Sequence, residues 1–265
     1  MLDQALFFEH LRAPGIGMPL TAAETLESTN QFLLDAAEQG APEGALAVAE
    51  SQTAGRGRQR RLWHSPAGRN LYFSVLLWPR LPMMRFPQLA LLTALALRRA
   101  ALALKPSLPI GLKWPNDLWL AGKKLSGILC ECPAGANAEG HRGIVLGVGL
   151  NVNSLEEDFP PELRTVATSL KWHAGHDFSR EILLAEFCNA FQELYGQWQQ
   201  AEDLSPFLGE WQKNDVLVGR TITIQRPTDL LTGEVVGYTP QGFMLLQTDA
   251  GVQTISVGDV HILKK

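Results

Sequence analysis

Between an apolar run, Ala45 to Ala49, and an alternating aromatic and aliphatic run, Leu71 to Trp78, the chain carries a stretch with no periodicity of its own, Glu50 to Asn70. The flanks read as two strands joined by a long loop. That loop interleaves Gly55 and Gly57 with Arg56, Arg58, Arg60 and Arg61. Glycine lets a backbone bend where bulkier residues cannot, and guanidiniums offer planar forks matched to carboxylate and phosphate oxygens. Long loops without structure are uncommon in compact domains and are either functional or disordered. Strands at both ends favour function, and the chemistry is that of a mobile lid that grips an anion. Composition alone asks for less, a solvated basic loop.

A second stretch, Gly111 to Glu131, separates the two readings. Pro115-Asn116-Asp117 marks a tight turn between short strands, and Ala121-Gly122-Lys123 marks another. The strand that follows begins near Lys124 and is expected to carry Leu125, Ile128 and Leu129 inward. Gly127 falls where something approaches the backbone closely. Lys113 and Lys124 then converge on one sheet face. A Gly-Arg-Gly-Arg loop followed by a tryptophan, Trp63, and a Lys-Trp-Pro-Asn-Asp segment followed by a lysine, Lys124, resemble the hallmarks of the biotin protein ligases. The resemblance runs from about Ser28 to the C-terminus, and two long motifs in order are far more specific than one short pattern.

The resemblance implies an α+β fold, a mixed central β-sheet with flanking helices of the class II synthetase-like biotin/lipoate ligase type, followed by a small SH3-like β-barrel. The pattern agrees. From Val216 onward short alternating strands, Arg220 to Gln225, Gly233 to Tyr238, Phe243 to Asp249 and Val252 to Val257, are separated by turn residues and read as a small barrel. The expected units are residues 1–214 and 215–265. Helices are expected over Leu2 to Leu11, Phe86 to Leu104, from Ser179 through Trp198, and near Asp203 to Trp211. Ser28-Thr29-Asn30-Gln31 fits a capping box with Ser28 as N-cap and Gln31 reaching back, and Gly40 closes that helix.

Bulk properties exclude several classes. Twenty-three basic against 27 acidic residues give a formal net charge of -4, so no global field recruits nucleic acid. Cys130, Cys132 and Cys188 are an odd set and read as buried, reduced thiols. No apolar run reaches spanning length and Met1 to Arg12 lacks the pattern of an export signal, so a cytoplasmic protein without membrane contact is expected. The segment ahead of Ser28 is too short for the winged helix-turn-helix of ligases that repress transcription, which points to the type without a DNA-binding domain and to no DNA partner. Gly147-Val-Gly149 lacks the third glycine and the helix of a dinucleotide site, and no P-loop occurs.

By resemblance, Ser28, Thr29, Asn30, Gln52, Gly55, Arg56, Arg58, Lys124 and Gly127 bind biotin, with Ser28 and Thr29 at the ureido ring. Trp63 stacks on adenine, and Asn116 and Asn151 face the nucleotide, the strand around Asn151 having small residues that make room for the ligand. Lys124 sits at the biotin carboxylate and α-phosphate, and Arg58 with Arg56 closes the lid over the adenylate. Asp117 holds Mg²⁺ indirectly or receives the proton of the incoming amine, with no metal bound directly. ATP, biotin and Mg²⁺ are the implied small partners and a biotin carboxyl carrier domain the macromolecular one, the enzyme being a monomer or homodimer. Leu263 stands where the family commonly has an arginine, with Lys264 beside it. His64 has no assigned role. The competing readings are a lipoate ligase, a non-enzymatic biotin sensor, and a nucleic-acid-binding module built on the arginine cluster.

Overall fold

The computed structural model describes residues 1–12, 15–225, 230–256 and 258–262. Seven strands, β1 (Leu20–Leu26), β2 (Leu46–Gln52), β3 (Leu71–Leu77), β4 (Ile110–Lys113), β5 (Asp117–Leu120), β6 (Lys123–Glu131) and β7 (Ile144–Leu150), form one sheet in the order β1-β2-β3-β7-β6-β5-β4. Only β1 and β2 run parallel. The edge strand β1 has no counterpart among the expected elements, because its half-exposed residues, Thr21 to Leu26, alternate too weakly to mark a strand.

Parity along the strands sorts the two faces. Leu46, Val48, Phe73, Val75, Leu77, Leu146 and Leu150 enter the large core beneath the sheet, where they meet α1 (Gln4–His10), α3 (Gln88–Leu104) and α5 (Arg180–Ala201). Along α5 the rings of Phe187, Phe191, Tyr195 and Trp198 follow one another at 5.5, 5.8 and 5.9 Å, the spacing of i, i+4 and i+3 neighbours. Ser179 caps this helix by accepting from the Ile182 amide, as the sequence suggests. Ala45, Ala47, Leu76 and Val145 point the other way and pack against α2 (Thr29–Glu38). Because α2 covers only the β2–β3–β7 part of that upper face, the rest is open for a site.

The end of α2 is a Schellman turn, with Ala41 N–H donating to Ala36 O and Gly40 N–H to Ala37 O, and Gly40 at φ +83°. Its start departs from expectation. Ser28 is the N-cap residue but its side chain makes no capping bond, and Gln31 donates to Asp35 Oδ1 instead of reaching back. A long-range acceptor, Gln52 Oε1, takes the Thr29 N–H at 2.9 Å.

Beyond α4 (Leu170–Ala174), α5 and α6 (Leu208–Asn214), five strands, β8 (Thr221–Gln225), β9 (Leu230–Tyr238), β10 (Met244–Thr248), β11 (Gly251–Ile255) and β12 (Asp259–Ile262), form a second antiparallel sheet in the order β11-β10-β9-β8-β12. The fold is thus the mixed sheet plus small C-terminal β unit that was expected. Leu263 and Lys264, singled out for the missing arginine, lie outside the described residues. Cys188 is buried, but Cys130 is half-buried and Cys132 exposed, so the expectation of three buried thiols fails where the chain leaves β6. Desolvation of its sulfur pushes the Cys130 thiol up to about 12, away from the thiolate. Among the described residues no helix is long and apolar enough to cross a membrane.

Candidate active site

Lys124 and Gly127 are three residues apart, an odd separation that in a regular strand sends side chains to opposite faces. Pairing between β5 and β6 passes from Leu118↔Ser126 directly to Trp119↔Lys124, which leaves Leu125 as the extra residue of a β-bulge. The bulge returns Lys124 to the Gly127 face. A Cβ at position 127 would stand 3.1 Å from Lys124 Nζ. Leu125 and Ile128 remain in the core, whereas Leu129, also expected inward, lines the cavity on the opposite face.

Gly127 and Gly149 are direct cross-strand partners on β6 and β7. Together they leave a bare patch of backbone, and the indole of Trp63 lies against it: a Cβ on Gly149 would run into Trp63, and one on Gly127 would stand 3.0 Å from the ring. Lys124 Nζ sits 5.6 Å from the centre of that indole. Gly147 serves a different neighbour, since a Cβ there would collide with the Asn30 carboxamide. The small residues of β7 thus line the cavity and also make room for the side chains of Asn30 and Trp63 beside it.

The lid between β2 and β3 is compact. Gly57 N–H donates to Arg61 O at 2.7 Å and Trp63 N–H to Gly55 O at 2.9 Å, and the tip is a 3₁₀ turn, Arg58–Arg60, with Gln59 and Arg60 at positive φ. Non-glycine residues held in that region mark backbone strain of order 1–3 kcal/mol each, which surrounding contacts must offset. The base is clamped from α5. Arg180 grips Glu50 at 2.8 and 3.2 Å and donates to Asn70 O at 3.2 Å, so one guanidinium ties both ends of the lid. Burial would raise the Glu50 carboxyl, but the Arg180 fork outweighs it and holds the group below its ordinary range.

Beneath the lid is a cavity of about 440 Å³, within the range of sites for small molecules. Ser28, Thr29, Asn30, Gln52, Arg56, Arg58, Trp63, Asn116, Asp117, Lys124, Gly127 and Asn151 all line it. Gly55 stands behind the wall, where a Cβ would press on Trp63 O at 2.7 Å and Ser65 Oγ at 2.8 Å. Lys113 and Lys124 both reach this cavity, the first over the Trp119 ring at 4.4 Å. Among the described residues the lining sets Arg56, Arg58, Arg61, Lys113 and Lys124 against one carboxylate, Asp117, so the cavity favours anions. Lys124 Nζ lies 2.7 Å from Asp117 Oδ1, an ion pair at the cavity floor. Arg58 donates to Asn116 Oδ1 at 3.0 Å and to Gly258 O at 3.4 Å, and Lys113 donates to Val260 O at 3.2 Å, so backbone of the second sheet completes the mouth.

Asn151 lines the cavity, and its amide nitrogen donates to Thr168 O at 2.9 Å. Ser74 and Glu131, which hold the cavity floor from behind, are not among the residues expected from the sequence. Ser74 is one polar residue in an apolar strand, and that interruption was the available signal. His64 lines the cavity and its Nε2 is 3.3 Å from Asp158 O. Among the described residues no group of three or more histidine, cysteine or acidic side chains is arranged to hold a metal ion.

Comparison with known proteins gives this arrangement a class. Residues 22–151 match the Biotin/lipoate A/B protein ligase family, and residues 217–263 match the Biotin protein ligase C terminal domain. The bifunctional ligase/repressor BirA of Bacillus subtilis (strain 168) is 32% identical over 252 residues, which span 95% of this chain and 76% of that protein. The biotin–acetyl-CoA-carboxylase ligase of Paracoccus denitrificans is 30% identical over 239 residues, 88% of this chain and 96% of that one. Among solved structures, the biotin protein ligase from Aquifex aeolicus in complex with biotin and ATP matches with a TM-score of 0.82 at 29% identity, covering 94% of this chain and 100% of its own. The chain belongs to the biotin protein ligases.

Proposed function

We propose that this protein activates biotin with ATP as biotinyl-5'-AMP and transfers the biotinyl group to a lysine of a biotin carboxyl carrier domain. The observation that carries the proposal is the placement of Lys124, turned by the bulge onto a cation-ringed cavity that the arginine lid covers. In the first step a biotin carboxylate oxygen bonds to the α-phosphorus while the bond to the pyrophosphate oxygen breaks. Both reactants are anions that repel. Lys124, within reach of the cavity floor, and Arg58, from the lid, supply positive charge where it is needed, and holding the reactants in line contributes roughly 7–11 kcal/mol. In the second step a neutral lysine nitrogen attacks the acyl carbon, AMP leaves, and a proton must go elsewhere. Asp117 is the carboxylate able to take it once Lys124 turns to phosphate.

Mg²⁺ brought in with ATP would offset phosphate charge, and among the described residues lining the cavity Asp117 is the carboxylate that could hold it. The aromatic face of Trp63 is assigned to adenine. Residues 1–214 are taken as the catalytic unit and 215–265 as the barrel, the chain crossing between the two sheets at Asp215.

The test is pyrophosphate release by purified protein with Mg²⁺, ATP, and biotin, lipoate or neither, followed by mass analysis for the acyl-adenylate. Release that depends on biotin alone is the expected outcome. Lys124→Ala should lower it by ~10²–10³-fold with the fold retained, the loss typical of removing one charge-stabilising donor. Release with lipoate alone, or with neither acid, would overturn the assignment.

A further inference from the structure

The floor of the cavity is backed by a chain of polar groups whose hydrogen atoms can be followed one at a time. It begins at Glu131, an acceptor-only carboxylate at the end of β6. Its Oε2 receives Asn30 Nδ2 at 2.8 Å, and Leu129 O receives the same nitrogen at 3.2 Å, so both amide hydrogens of Asn30 are spent inside the protein. This fixes the orientation of the carboxamide and turns Asn30 Oδ1 toward Ser74 Oγ, 2.6 Å away. Ser74 is fully buried and also stands 2.7 Å from Thr29 Oγ1. Its cross-strand neighbour is Gly147, whose missing side chain is what admits Asn30.

Ser74 has one hydrogen for two oxygens. If it serves Asn30 Oδ1, the hydrogen between the two hydroxyls comes from Thr29. The reverse, with Ser74 serving Thr29, would leave Ser74 Oγ and Asn30 Oδ1 2.6 Å apart with no hydrogen between them, because both amide hydrogens of Asn30 are already spent. The hydroxyl hydrogen of Thr29 therefore faces inward, to Ser74 Oγ, and its backbone N–H is also consumed, by Gln52 Oε1 at 2.9 Å. What Thr29 can offer the cavity is a lone pair.

We infer that Ser74 and Glu131 are positioning residues that make Thr29 a hydrogen-bond acceptor, so that the site selects an acid whose ring carries N–H donors, such as a ureido ring, over one without them, such as a dithiolane. The inference rests on the biotin assignment and deepens it, because it locates the choice between the two acids in residues that touch neither. A site built to bond a ring N–H loses far more on its removal than an apolar pocket loses with a methylene. Glu131 has a second attachment, accepting from Arg56 Nη2 at 3.3 Å, so the same carboxylate couples the floor to the lid.

The test compares biotin with its two mono-N-methyl derivatives on the full-length chain. Dissociation constants come from calorimetry, and KM values for acid and for ATP from pyrophosphate release. Wild type should bind at least one N-methyl derivative roughly a hundredfold more weakly than biotin. Ser74→Ala and Glu131→Met, which removes the acceptor of Asn30, should weaken biotin by about tenfold, the equivalent of one hydrogen bond, and narrow that discrimination to about tenfold, while the KM for ATP of Ser74→Ala stays within about twofold. Glu131 is part-exposed, so the discrimination shown by Glu131→Met decides the matter should Ser74→Ala fail to fold. Unchanged discrimination in a folded variant, or a rise in both KM values of Ser74→Ala together, would overturn the inference while leaving the biotin assignment intact. Failure of wild type to bind biotin would remove both.

Discussion

Gly127 and Gly149 meet across two strands, and the position of Trp63 depends on neither having a side chain. Gly149→Ala is therefore expected to push the indole off the sheet. If Trp63 stacks on adenine, the loss is about 1–3 kcal/mol, read as a roughly five- to 150-fold rise in the KM for ATP together with a changed tryptophan emission. Gly57→Ala is the control within the lid, since a Cβ there meets only Arg61 O at 3.5 Å, an ordinary contact. Residue types at the site were legible, because guanidiniums, lysines and a flanking tryptophan announce anion and ring chemistry by themselves. Their partners were not. Ser28 and Gln31 make a plausible capping box only in ignorance of Gln52, which lies 23 residues away from Thr29 and brings its acceptor to the helix start. Glycines 147 and 149 advertise empty space, yet nothing local says that Asn30 and Trp63 fill it.

At the scale of elements, the parity of β6 was the least legible feature and the most consequential. The strand itself follows from the Ala121-Gly122 turn, whose residues take φ of 49° and 80°, as a two-residue hairpin requires. The bulge that selects the face of Lys124 is a matter of register with β5, which no pattern within β6 records. The joint between the two sheets carries a different signature. Asp215 follows α6 and accepts from Leu217 N–H at 2.6 Å, Val218 N–H at 2.8 Å and Tyr238 Oη at 2.9 Å. Burial, only partly offset by these bonds, raises its carboxyl from 3.8 to about 6. The folded state then binds the proton more tightly than the unfolded chain, so this group's contribution to stability is present below pH 4 and is lost as pH rises to 6. Asp215→Asn should remove that slope, up to about 3 kcal/mol over the interval, with urea midpoints between pH 4 and 8 as the measurement. An equal slope in wild type and variant would exclude Asp215 as its source.

For the whole molecule, Arg58 is the contact that makes one site of three segments. It reaches from the lid to Asn116 in the β4–β5 turn and to Gly258, just ahead of β12. Arg58→Ala should leave adenylate formation measurable but let the intermediate escape, seen as biotin label on bystander amines and a faster loss of bound adenylate. Retention equal to wild type would count against a latch. The existence of the small β unit was legible from its short strands and turns. Its part in the site was not, because Gly258 and Val260 contribute backbone carbonyls, and a carbonyl has no letter in a sequence. The same contact has a consequence for synthesis. Arg58 and Gly258 are 200 residues apart, so at ribosomal speeds of 5–20 residues per second the lid waits about 10–40 s after it is made for the strand that latches it. A nascent chain caught in that interval would hold a nearly complete catalytic sheet with an open mouth, able to leak a reactive acylating agent onto the ribosome and its surroundings if it turned over early.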